Sequence, residues 1–140
     1  MTTGAKSDYL ESKWLDHEFG TGTYGKPSNH YVALFTAAPT DSGGGTEVSG
    51  GAYARVAYGP NSVTAGNWTL TSDGTGQASN ANAVAFPKST AAWGTVVAFA
   101  LFDSATGGNM KYWGVLDASQ SIGVSTTASF DPGTLKILED

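Results

Sequence analysis

Two histidines, His17 and His30, and twelve acidic side chains are the groups through which this 140-residue chain could do acid, base or metal chemistry. Cysteine is absent, which removes thiolate ligands, a Cys nucleophile and any disulfide framework. The histidines fall on different predicted elements and in no recognised ligand spacing, so no metal site is expected. Asp16 and His17 adjoin, but neighbours on a helix point about 100° apart and do not face each other. A polar helix face accounts for them. A glycosidase needs two carboxylates across a cleft, whereas Asp41, Glu47, Asp73, Asp103, Asp117 and Asp131 each read as turn or strand-end residues. The loops around Asp73 and Asp103 offer one carboxylate apiece, too few for the alternating ligands of a calcium loop. The runs Gly43-Gly44-Gly45 and Gly50-Gly51 lead into no helix and precede no GK[ST], so they do not make a phosphate cradle. The expectation is no catalytic residue, no cofactor and no metal.

Binding chemistry has better candidates. Trp68, Trp93 and Trp113 could stack on sugar rings of a glycan, against the commoner alternative that such residues fill a core. Leu10, Trp14, Leu15 and Phe19 make an apolar stripe at helical spacing. Leu10, Trp14 and Phe19 could dock on an adjacent subunit or close one end of the chain's own core, and the intramolecular reading is preferred. Gly43, Gly44 and Gly45 read as a surface excursion that bridges two sheets or contacts a neighbouring subunit.

These residues must be positioned by a largely β framework. Residues 1–6 read as a polar arm. Ser7 to Gly20 carries the one clear helix pattern, helical over 7–19, with Ser7 as N-cap, Asp8 and Glu11 at the positive end of the dipole, and Gly20 as a left-handed terminator. Between residues 30 and 138, nine strands are expected: 30–36, 52–58, 67–71, 77–86, 95–103, 110–116, 122–124, 128–130 and 135–138. The run TVVAFALFD from Thr95 is apolar on both faces and reads as the sheet centre. The turn from Ser104 to Asn109 should join it antiparallel to MKYWGVL. The predicted architecture is one all-β domain over residues 1–140, an antiparallel β-sandwich or jelly-roll-like fold with one N-terminal helix.

The composition narrows the partners. Net charge is −5 with a pI near 4.7, and the seven basic residues are scattered, so direct nucleic acid binding is not expected. No apolar h-region opens the chain and no run of about eighteen apolar residues occurs, so neither a signal peptide nor membrane insertion is expected. The product should be soluble and made in the cytoplasm. Charged residues are 14% of the chain, and the surface must be covered mostly by Ser, Thr, Asn and Gly. Such side chains lose little entropy on packing against neighbours, which favours assembly.

The ordered motifs YLESKWLDHEFG, YVALFTAAPTD, GGGTEVSGGAYAR, AFP, WGTV, LFDSATGGN and YWGVL span almost the whole chain. In them the sequence resembles small virion proteins of tailed bacteriophages described as tail fibre proteins or as head decoration proteins. The resemblance implies a non-enzymatic structural part of a virion, assembled in the host cytoplasm. Its partners would be other copies of itself, for instance as a trimer, and major capsid or tail proteins. A fibre shaft needs heptads or collagen-like repeats, which are missing here. Capsid decoration is therefore the favoured expectation. The alternative is a tail fibre or tail appendage that binds a host glycan or surface receptor.

Overall fold

The computed structural model describes residues 2–60, 68–71 and 76–139. The strands are β1 (Thr2–Lys6), β2 (Asn29–Ala37), β3 (Thr46–Glu47), β4 (Val56–Pro60), β5 (Trp68–Leu70), β6 (Gln77–Asn80), β7 (Val84–Ala85), β8 (Gly94–Phe102), β9 (Met110–Ile122), β10 (Ser129–Phe130) and β11 (Leu135–Leu138). One helix, α1 (Asp8–Phe19), follows β1. Nine strands run in the order β3-β2-β8-β9-β1-β11-β6-β5, with β4 also on β2, and β10 pairs with β7 apart from them. The expected β-sandwich with an N-terminal helix is the architecture found. Among the described residues no helix is long and apolar enough to cross a membrane.

The long strands form where β-branched and aromatic residues alternate with small ones. On β2 and β8, Val32, Leu34, Phe99 and Leu101 point into the main core, where they meet Val84, Phe86, Leu135 and Ile137 of the facing layer. Ala33, Phe35, Ala98 and Ala100 take the opposite face and form a second cluster with Met110. Both faces are therefore dry, as the run of apolar residues required, and β8 lies at the centre between β2 and β9. Among the described residues Asn29 Oδ1, His30 Nδ1 and Trp68 Nε1 are buried without a hydrogen-bond partner, whereas the buried Asn80 side chain is satisfied. Asn80 donates to the carbonyls of Asn82 and Asp131 at 2.9 Å each and accepts from the Leu135 amide at 2.9 Å, which fastens β6 to the turn before β11.

Residues Thr2–Lys6 correct the reading of a polar arm. Residues 2–4 of β1 pair parallel with Leu135 to Ile137, and Ala5 and Lys6 pair antiparallel with Trp113 and Tyr112. One strand thus passes from one sheet to the other, and its pairing with β11 makes the fold mixed rather than wholly antiparallel. Gly4 permits the crossing. A Cβ there would stand 2.7 Å from Phe99 Cζ and 2.9 Å from the Trp113 carbonyl oxygen. An amphipathic pattern over three polar residues is too short to reveal such a strand.

Other boundaries shift for local reasons. The expected strand 77–86 is split into β6 and β7, which belong to different sheets, and of the expected strand 122–124 only Ile122 is strand, as the last residue of β9. The segment 52–58 becomes strand only from Val56. Pairing of β9 with β8 is interrupted twice: between Ala98 opposite Val115 and Val96 opposite Gln120, and between Leu101 opposite Tyr112 and Phe102 opposite Met110. The second irregularity is a bulge that leaves Lys111 as the extra residue. Gly20 is extended at φ −102°, not left-handed; its amide donates to the Asp16 carbonyl and so ends α1.

Candidate aromatic and basic cleft

The first turn of α1 is held to the sheet by its cap. Ser7 Oγ donates to the Met110 carbonyl at 2.5 Å and accepts from the Leu10 amide at 3.3 Å, while the Ser7 amide donates to the Lys111 carbonyl at 2.8 Å. Leu10 is buried beneath this turn. Beyond it the helix leaves the sheet, so Trp14, Leu15 and Phe19 are 43%, 61% and 85% exposed. The expectation that the whole stripe closes the chain's own core is corrected: one turn is anchored and the rest is presented to solvent. For the same reason Leu10 is not available for a subunit contact.

A loop returns along the exposed side of α1 and completes a cleft. Gly22 donates its amide to Asp16 Oδ1 at 3.3 Å, and a Cβ on Gly22 would lie 1.9 Å from Asp16 Oδ2, so glycine is required for the carboxylate to cap the loop. The Tyr24 amide donates to His17 Nδ1 at 3.1 Å. Trp14 stacks on His17 at 5.7 Å between ring centroids, and the Tyr24 ring meets Trp14 edge to face at 5.9 Å. Lys6, Leu10, Lys26, His30, Lys111 and Glu139 join these rings around about 330 Å³. An adjoining recess of about 340 Å³, lined by Lys13 and Asp103 among others, shares Tyr24, Pro27 and Lys111 with it.

The electrostatics of this cleft follow from burial. Lys111 is 3% exposed, and its ammonium lies 4.7 Å from the Tyr24 ring centroid. Burial lowers its pKa and Asp103 opposes that. Among the described residues no carboxylate stands within ion-pair distance of it, whereas Lys6 is paired with Glu139. Burial, with Lys111 beside it, holds His30 down to about 4, so its ring is neutral at ordinary pH. Burial also raises Tyr24, and it lifts Tyr112 to about 12.

The tryptophans singled out for glycan stacking are placed elsewhere. Trp93 is in the core, 6% exposed, with its Nε1 donating to the Gly51 carbonyl at 2.9 Å, and its ring edge against Tyr53. Trp68 is half-buried edge-on against Tyr58 and His30. Trp113 is half-buried, and its Nε1 donates to Asp41 at 2.7 Å. Trp93 is thus corrected to a packing residue, and the other two are engaged by the fold. Trp14 is the tryptophan left exposed. In the sequence Trp14 belongs to the helical stripe rather than to the sugar-stacking candidates, and Tyr24 and Lys111 belong to neither. The signal for Lys111 was a lysine set within the apolar run MKYWGVL.

Gly43, Gly44 and Gly45 have φ of 105°, 81° and 75° and line a separate cleft of about 590 Å³ with Asp8, Tyr9 and Arg55. Space is open around Gly43 and Gly44, while a Cβ on Gly45 would press on the Ala37 carbonyl oxygen at 2.6 Å. The excursion is anchored by β3, which pairs with β2. Arg55 is already saturated there: it is bidentate to Glu47, donates to the Ser104 and Gly107 carbonyls at 2.8 Å, and lies 3.7 Å from the Phe102 ring centroid. It is a latch between loops rather than a free ligand. Among the described residues no three His, Asp or Glu side chains converge as metal ligands would.

Residues 5–138 match the family model described as podophage GP4 fiber I protein gp80. No curated protein matches the chain.

Proposed function

We propose that this chain, which belongs to the podophage fibre family, is a non-enzymatic structural subunit of a podophage tail fibre. The family match over residues 5–138 carries this reading. It favours the tail over the capsid shell: the description names a fibre protein, whereas nothing in the comparison supports capsid decoration. The lack of heptads and collagen repeats favours a knob or adaptor over a shaft.

Self-association into a homo-oligomer such as a trimer is part of the proposal. Leu15 and Phe19 are four residues apart on one face of α1 and are both exposed, and apolar side chains in that arrangement gain by being covered. Gly43 and Gly44 give the neighbouring loop an unobstructed backbone at which a second subunit or another fibre protein can approach. Immunogold labelling of purified virions with antibody to this chain tests the location. Label on the tail appendages supports the proposal, and label over the shell restores capsid decoration.

A further inference from the structure

We propose that the cleft between α1 and the loop 21–28 binds an acidic saccharide, with Trp14 as the stacking platform and Lys111 as the anchor for the sugar's negative charge. Three observations carry this. Trp14 lines the cleft yet keeps 43% of its surface in solvent, and its ring is fixed by His17 beneath and Tyr24 at its edge. A rigid, half-exposed indole offers the flat apolar surface that the C–H face of a pyranose covers, with little ordering left to be done on binding.

Charge supplies the second argument. The chain is acidic overall, yet four of its seven basic side chains, Lys6, Lys13, Lys26 and Lys111, line this cleft and the recess that shares Tyr24 with it. Their acidic neighbours are Glu139, which is taken by Lys6, and Asp103, which attracts Lys111 from beyond ion-pair distance. The third is the state of Lys111 itself. It is 97% withdrawn from solvent and lines both recesses, and its ammonium has a ring face for company rather than a carboxylate. A buried cation of this kind is costly unless an anion meets it. A carboxylated sugar satisfies it while its ring covers Trp14, and about 330 Å³ is enough for a small saccharide unit.

The binding chemistry stands on the cleft; its use, attachment to an acidic cell-surface polysaccharide, rests on the fibre reading. The test is a titration of the isotope-labelled full chain by NMR with glucuronate, glucose and inorganic phosphate. Glucuronate at millimolar concentration is expected to shift the Trp14 indole, Tyr24 and Lys111 signals, with glucose about tenfold weaker and phosphate causing no shift at Trp14. Trp14→Ala, on an exposed helix position, and Lys111→Met should each weaken glucuronate by about tenfold with the remaining spectrum unchanged. Equal responses to glucose and glucuronate, a phosphate response matching glucuronate, or full binding by Trp14→Ala would each overturn the proposal. Labelling of virions tests the fibre reading independently, so either can fail without the other.

Discussion

At the scale of single residues, His30 makes the sharpest statement about pH. Its pKa falls from 6.5 to about 4 on folding, because burial penalises the imidazolium and Lys111 repels it. Between those values the unfolded chain binds a proton that the folded chain does not, so stability rises with pH across the window and is lost as pH falls through it. The loss is at most about 3 kcal/mol and levels off below pH 4, where both states are protonated. Urea unfolding at a series of pH values measures this slope. His30→Phe, which keeps a ring against Trp68, should flatten it, and an unchanged slope in the variant would assign the effect to another group. Residue-level chemistry was legible in the sequence where it depends on local caps, as at Ser7. It was hidden at Lys111, whose burial arises from a bulge and from a loop that returns from residues 21–28, neither of which leaves a periodic trace.

Among the elements, β1 and α1 matter most, and each went differently from its sequence pattern. β1 was read as an arm because TTGAK carries no apolar face, yet it joins the two sheets. Gly4→Ala should therefore destabilise the fold by about 1–3 kcal/mol through contact with Phe99 and the Trp113 carbonyl, seen as a lower urea midpoint. A midpoint equal to that of the parent would mean the crossing has slack. α1 shows the opposite error. Its stripe predicted a buried helix, but apolar periodicity says only that a face wants cover, not which molecule supplies it. Leu15→Ser with Phe19→Ser should leave the unfolding midpoint within about 0.5 kcal/mol of the parent and lower the mass measured by light scattering from oligomer to monomer. A parent chain that is already monomeric contradicts the proposed interface. The long strands β2, β8 and β9 were readable because alternation and β-branching extend over many residues, whereas two-residue strands such as β3, β7 and β10 depend on partners far along the chain.

The whole molecule joins a β-sandwich to two surfaces that the sandwich itself does not use. One is the outer face of α1 with the open glycines, assigned to other subunits. The other is the Trp14 and Lys111 cleft, assigned to an acidic sugar. Fold class followed from composition and turn spacing, and family resemblance narrowed the role to a virion part. The missing shaft repeats tilted the sequence reading to capsid decoration, but strands and cores carry no address, and the family match favours the alternative, a fibre. Family membership supplies the preference for the fibre. Immunogold electron microscopy of intact virions, with antibody raised against this chain, tests the fibre assignment: gold at the tail appendages in a few places per particle is the predicted result, and gold spread over the capsid shell or absent from the virion would contradict it.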